Sequence, residues 1–143
     1  MFARIDHIGI VAHNWDEAQH VLLNLLGLKV EQPRTPLPGG IHFAPENTNN
    51  YFILVGDGPT RIEVLIPMDP NNGTGRFLAA RGPGLHHIGY ACADVAAEAR
   101  RLRENGLRQI ELKVTDPSQS MGAAFFHPKD CGGILTELVP LRP

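Results

Sequence analysis

DHIGIVAHNW, residues 6–15, and HHIGYACADV, residues 86–95, are near-copies placed eighty positions apart in a chain of 143 residues. Laying His7 on His87 also matches Ile8 with Ile88 and Gly9 with Gly89. The likeness extends beyond the copies themselves. Asn14 stands where a helix cap belongs and Glu17 where a capping box needs it, and Trp15, Ala18, Val21, Leu22, Leu25 and Leu26 recur at helical spacing up to Gly27. In the second copy Asp94 is the cap, Val95, Ala99 and Leu102 form a narrower apolar stripe, and Gly106 stops the helix.

GLKV and GLRQI each lead out of the helix into a β-rich stretch. Strands are expected at Tyr51–Val55 and Arg61–Ile66 in the first copy, and at 109–114, 121–127 and 135–139 in the second. One strand, one helix and three strands is then the unit, written twice. The expected fold is α+β, a single domain of two tandem βαβββ modules over 1–68 and 85–143, joined by a linker at 69–84 that opens on the turn-rich DPNNGTG. PRTPLPGGIHFAPENTNN, residues 33–50, reads as loop rather than strand because Pro, Gly and Asn favour turns.

Composition narrows the function. Thirteen basic residues against 15 acidic ones leave no electrostatic footprint for nucleic acid or an anionic membrane, so a small-molecule partner is expected. Cys92 and Cys131 make neither a CxxC pair nor a disulfide framework, which fits a reducing cytosol. No apolar run approaches the roughly 18 residues of a membrane span, and a soluble cytoplasmic protein is expected.

The repeated strands carry the chemistry. Side chains alternate along a strand, so His7 shares a face with Ile5, Gly9 and Val11, and His87 with Leu85, Gly89 and Ala91. A glycine beside each histidine marks a place where something bulky approaches the strand. The last strand of each module adds a second matched pair: Glu63 in RIEVLIP and Glu137 in LTELVP, each a carboxylate in an apolar strand closed by proline. A carboxylate buried there needs a cation, a metal or hydrogen bonds. Two histidines and two glutamates, one of each per module, make a four-ligand set for one metal: His7, Glu63, His87 and Glu137. Imidazole and carboxylate without thiolate favour a divalent ion such as Co²⁺, Mn²⁺, Ni²⁺ or Zn²⁺. By the same alternation His86 faces away and is not a ligand, and His13, His20 and His42 read as solvated.

These strings resemble the vicinal oxygen chelate (glyoxalase/bleomycin-resistance) superfamily over nearly the whole chain. The similarity is greatest to the methylmalonyl-CoA epimerases, through DHIGI, RFLAARGPGLHHIGY, AFFHPKDCGG and the terminal LTELVP. The resemblance implies a half-open barrel around a shared metal, with His7, Glu63, His87 and Glu137 at the family's metal positions, and a homodimer. It implies abstraction and return of an α-proton on a malonyl-CoA thioester through a metal-stabilised enolate. Glu137 would be one acid/base group. The acidic residue that the family carries ahead of its third strand has no counterpart by spacing, because HFAPENTNN comes after Gly40–Ile41 as an apparent insertion, and Glu46 is the nearest candidate. Arg76, Arg81 and Lys129 are candidates for the anionic tail of a coenzyme A ester. The alternatives are a glyoxalase I-type isomerase, which uses a similar ligand set, and a non-catalytic small-molecule-binding protein, which would not need all four ligands.

Overall fold

The computed structural model describes residues 1–111 and 122–143, so the parts of the two expected strands that fall within 112–121 lie outside the described residues. The chain forms two compact units, residues 9–85 and residues 1–8 with 86–143. This division differs from the boundary of the repeat.

The first of these units holds the end of strand β1 (Phe2–Val11), helix α1 (Trp15–Gln19), strands β2 (Lys29–Val30), β3 (Ile41–Phe43), β4 (Thr48–Leu54) and β5 (Arg61–Pro67), and helix α2 (Gly73–Arg81). Strands β2, β3 and β5 all pair antiparallel with β4. Asn14 caps α1 as expected, its side chain accepting the Glu17 N–H at 2.8 Å. The helix then widens. His20–Leu25 is a π-helical turn, in which the Leu26 N–H reaches back five residues to the Val21 carbonyl at 2.9 Å. The extra residue per turn rotates the apolar set. Trp15, Ala18 and Leu22 pack with Tyr51, Ile53, Val64 and Ile66 in the core, whereas Val21, Leu25 and Leu26, expected on the buried stripe, face solvent. The Trp15 indole lies flat on the Tyr51 ring, with centroids 3.9 Å apart.

Two expectations need correction in this unit. Residues 41–50 are not loop but the hairpin of β3 and β4, with Ile41 opposite Asn50 and Phe43 opposite Thr48. Asn47 turns the chain with a left-handed φ of 48°, which asparagine tolerates better than most residues. The asparagines that argued against a strand are satisfied by local side-chain bonds: the Thr48 hydroxyl donates to Asn50 Oδ1 at 2.7 Å, and His42 Nδ1 lies 3.0 Å from Asn49 Oδ1. Residues 33–40 remain loop, but are tied down, because the Tyr51 hydroxyl donates to the Pro38 carbonyl and the Phe52 N–H to the buried Thr35 hydroxyl. The linker is also more than a linker. It contains α2, capped by Asn72, whose side chain accepts the Gly75 N–H at 2.7 Å, and stopped by Gly82 at a positive φ.

The second unit contains the opening residues of β1, strand β6 (Gly84–Cys92) from His86 onward, helix α3 (Val95–Glu104), and strands β7 (Gln109–Ile110), β8 (Ala124–Phe126) and β9 (Leu135–Pro140). The strands run β1-β6-β9-β8-β7. β6 and β9 are parallel, with Gly89 opposite Glu137, and β8 and β9 antiparallel. Helix α3 is regular and obeys its sequence closely: Asp94 accepts the Ala97 N–H, and Ala99 and Leu102 are buried against Cys92, Ala124, Phe126 and Leu138. Both cysteines are free thiols, Cys92 buried and Cys131 half-buried.

Candidate metal centre

Three of the expected ligands meet in the unit of residues 1–8 and 86–143. His7 and His87 are 4% exposed, on strands whose burial alternates as the sequence requires, and Glu137 reaches them from β9. His7 Nε2 lies 2.7 Å from Glu137 Oε2 and 3.0 Å from His87 Nε2, and His87 Nε2 lies 3.3 Å from the same carboxylate oxygen. No other part of the described chain gathers three such groups.

The backs of the rings decide what these atoms can do. His7 Nδ1 lies 2.8 Å from Asp6 Oδ2. A carboxylate only accepts, so the Asp6 contact calls for a hydrogen on His7 Nδ1, and Nε2 is the ring nitrogen that faces Glu137 and His87. On the other side, His87 Nδ1 lies 2.9 Å from His86 Nδ1. Two buried imidazole nitrogens and the oxygen of a half-buried carboxylate converging are a donor set that a divalent cation satisfies. The residues present therefore fit a metal.

Gly89 makes the site possible. A Cβ added there would collide with His7 Cε1, so the close approach inferred at this glycine is that of the His7 ring itself. Burial raises the pKa of the Glu137 carboxyl, but the hydrogen bonds and charges of His7 and His87 outweigh it and hold the group well below the usual carboxylate range. It is therefore a carboxylate, as ligation requires. Burial, with a smaller contribution from His87, pushes His86 down to about 4, so its ring is neutral near pH 7.

The other expected residues stand elsewhere in the chain. Glu63 is half-buried on β5, opposite Phe52, in the unit of residues 9–85. Glu46 lies in the turn between β3 and β4 of that unit and is bound to the start of α2: its carboxylate accepts the Thr74 hydroxyl at 3.3 Å and its backbone carbonyl accepts from the Asn72 side chain. Arg76 and Arg81 are exposed on α2, and Lys129 is exposed on the short 3₁₀ turn at Pro128–Asp130. His13, His20 and His42 are exposed, as expected. The reading of strand faces missed Asp6 and His86. Their signal was present: each occupies the position just before His7 or His87 in the repeated motif.

Residues 6–125 match the Glyoxalase/Bleomycin resistance protein/Dioxygenase superfamily. The chain belongs to that superfamily. Within it the chain is 30% identical over 142 residues to the ethylmalonyl-CoA/methylmalonyl-CoA epimerase of Cereibacter sphaeroides, covering 96% of this chain and 98% of that one. It is 28% identical over 136 residues to the mitochondrial methylmalonyl-CoA epimerase of Homo sapiens, covering 94% and 72%. A solved Streptomyces coelicolor methylmalonyl-CoA epimerase variant, in complex with 2-nitronate-propionyl-CoA, matches over the full length of both chains at 31% identity with a TM-score of 0.80. The α+β fold of tandem βαβββ modules expected from the repeat is borne out by that match, and the chain is an enzyme of the epimerase class.

Proposed function

We propose that the protein is a metal-dependent epimerase of a 2-substituted malonyl-CoA thioester, with methylmalonyl-CoA as the first substrate to test. The observation that carries the reading is the convergence of His7 Nε2, His87 Nε2 and Glu137 Oε2 in a chain whose relatives are epimerases of such esters. His7, His87 and Glu137 hold the ion, and Glu63, the repeat equivalent of Glu137, is proposed as the fourth ligand. The ion is Co²⁺, Mn²⁺, Ni²⁺ or Zn²⁺. When bound, it supplies Lewis-acid polarisation of a carbonyl oxygen and so acidifies the neighbouring C–H.

The chain's own groups move the proton. Glu137 is ionised and is the proposed base on one face of the α-carbon; Glu46 is the proposed partner that returns a proton on the other. To serve, Glu46 exchanges its bond with the Thr74 hydroxyl for one with substrate. Arg76, Arg81 and Lys129 offer exposed cations to the phosphates of a coenzyme A ester. A homodimer in the cytoplasm completes the proposal. Among the described residues no helix is long and apolar enough to cross a membrane.

The test is proton exchange. Metal-loaded protein in deuterated water is expected to exchange the α-hydrogen of methylmalonyl-CoA and interconvert its epimers, and to turn over the methylglyoxal–glutathione adduct slowly or not at all. Efficient formation of lactoylglutathione with no exchange into the coenzyme A ester would move the protein to the glyoxalase I-type isomerases.

A further inference from the structure

We propose that Asn50 is a substrate-binding residue whose side-chain amide donates to the free carboxylate of the acyl group, and that Thr48 is the positioning residue that turns the amide to do so. This rests on the epimerase reading above and deepens it by naming what recognises the carboxylate.

The register of the strands places Asn50. β4 and β5 pair with Phe52 opposite Glu63, Asn50 opposite Leu65 and Thr48 opposite Pro67, so these side chains share one face. The other face, with Tyr51, Ile53, Val64 and Ile66, is the one that Trp15, Ala18 and Leu22 cover. The first helix therefore packs on the side away from Glu63, which is proposed above as a ligand of the ion. Between Glu63 and the β3–β4 turn, Thr48 and Asn50 are the polar residues of a face otherwise made by Leu65, Pro67 and, across from β4, Ile41 and Phe43.

A polar side chain in such a place is costly unless its groups find partners. Asn50 is 7% exposed and Thr48 1%. The Thr48 hydroxyl donates to Asn50 Oδ1 at 2.7 Å, which satisfies the amide oxygen and directs the amide nitrogen elsewhere. Among the described residues, nothing accepts a hydrogen from that nitrogen. Nor is the nitrogen sealed off, because among the described residues the one side-chain nitrogen or oxygen enclosed without a partner is Arg4 Nε. A fixed side chain with two unspent donors that can be reached from outside is equipped to take an oxygen of a bound molecule.

The acyl group selects which oxygen. A 2-substituted malonyl thioester brings a thioester carbonyl and a carboxylate, and the ionised group is the stronger acceptor. The consequence is discrimination. Propionyl-CoA has the same coenzyme and the same thioester without the carboxylate, and leaves the Asn50 amide unpaired.

The experiment measures binding of methylmalonyl-CoA and of propionyl-CoA by calorimetry to wild type, Asn50→Ala, Asn50→Asp, Thr48→Val and Thr48→Ser, each in saturating Co²⁺ with its occupancy checked by metal analysis. Wild type is expected to prefer methylmalonyl-CoA. Asn50→Ala is expected to weaken methylmalonyl-CoA by about tenfold to a hundredfold, as loss of a hydrogen bond to a charged group does, and propionyl-CoA by no more than about threefold. Asn50→Asp, which keeps the shape but puts an acceptor where the donor stood, is expected to lose at least as much for methylmalonyl-CoA. Thr48→Val frees the amide to turn and is expected to weaken methylmalonyl-CoA by about threefold to tenfold, whereas Thr48→Ser, which keeps the hydroxyl, is expected to bind as wild type does. A merely structural role weakens both esters together. Asn50→Ala that weakens both equally, keeps the wild-type preference or loses its Co²⁺ overturns the proposal and leaves the epimerase reading standing, as does a wild type that turns over methylmalonyl-CoA but binds both esters equally. If neither Asn50 variant folds, the contrast between Thr48→Val and Thr48→Ser on the two esters still decides. Wild type that binds neither ester overturns the epimerase reading and this proposal together.

Discussion

The two copies of the repeated motif kept their strands and let their helices diverge. β1 and β6 each bury a histidine and the glycine two residues on, in the same alternation. After them, α3 is a regular helix whose apolar stripe is buried as written, while α1 breaks after five residues into a π-helical turn that exposes Val21, Leu25 and Leu26. A strand that presents a ligand cannot shift by one residue without turning the ligand to the other face. A helix that only covers a core can rotate its stripe and still cover it. In this molecule the matched strands are the ones that carry the residues of the candidate metal centre.

The largest test of that constraint is Gly89→Ala. The new methyl would occupy the volume of the His7 ring, which its bond to Asp6 holds in place. The expected outcome is loss of metal affinity beyond the roughly hundredfold of an outer-partner change, with correctly folded protein by circular dichroism. Metal uptake equal to wild type would show that β6 does not need its glycine, and the strands would be no more constrained than the helices.

Next is Glu137→Gln. The amide oxygen still offers a lone pair to the ion, but the group no longer exchanges a proton near neutrality. Turnover of methylmalonyl-CoA is expected to fall by about 10²–10⁴ while Co²⁺ affinity falls far less. Glu46→Gln is the companion measurement. Full turnover in that variant removes Glu46 as the second acid/base group and leaves it as a residue that ties the β3–β4 turn to α2.

The clustering of three of the four candidate ligands was legible because strand periodicity is simple. Alternation placed His7 and His87 on the buried faces, and the repeat singled out Glu137 from the other glutamates. The caps at Asn14 and Asp94 and the stops at Gly27 and Gly106 read correctly because each answers a local demand of the helix end. What failed needed non-local information. The β3–β4 hairpin is written in asparagines, of which Asn49 meets its partner His42 only across the paired strands, and the π-helical turn changes the period on which the helical reading relied. Asp6 and His86 were passed over because adjacent residues on a strand point to opposite faces, a rule for Cβ directions that does not reach as far as a ring nitrogen.

The two helices give a prediction of middle size. Leu102 on α3 is 8% exposed and Leu25 after α1 is 66% exposed, although sequence spacing placed both on buried stripes. Leu102→Ala is expected to cost about 2–5 kcal/mol in urea unfolding, as deletions in a packed core do. Leu25→Ala is expected to cost no more than about 0.5 kcal/mol, as surface changes do. Equal costs would mean that the first helix buries the stripe its sequence describes, and the contrast between the copies would shrink to its geometry alone.

The smallest effect separates two carboxylates of the second unit that are both held low. Glu137 is enclosed by imidazoles, whereas Asp130 lies on the surface in a bidentate pair with Arg108, whose guanidinium donates to both its oxygens and whose backbone N–H donates to Oδ2. The Arg108 hydrogen bonds hold Asp130 at about 2, below its ordinary 3.8. A folded pKa below the unfolded one means that the unfolded chain takes up the proton first as the solution is acidified. The pair's contribution is therefore whole above about pH 4 and disappears as the pH falls toward 2. Solvent and salt screen an exposed pair, so the contribution is small and shrinks further at high ionic strength. Asp130→Asn is expected to lower the urea midpoint slightly at pH 6, and the gap from wild type should shrink strongly by pH 2.5 and narrow in 1 M salt. A gap that stays constant from pH 6 to pH 2.5 would assign the loss to the shape of the 3₁₀ turn rather than to the ion pair. Metal affinity should not change in this variant, because Asp130 contacts none of the three ligands.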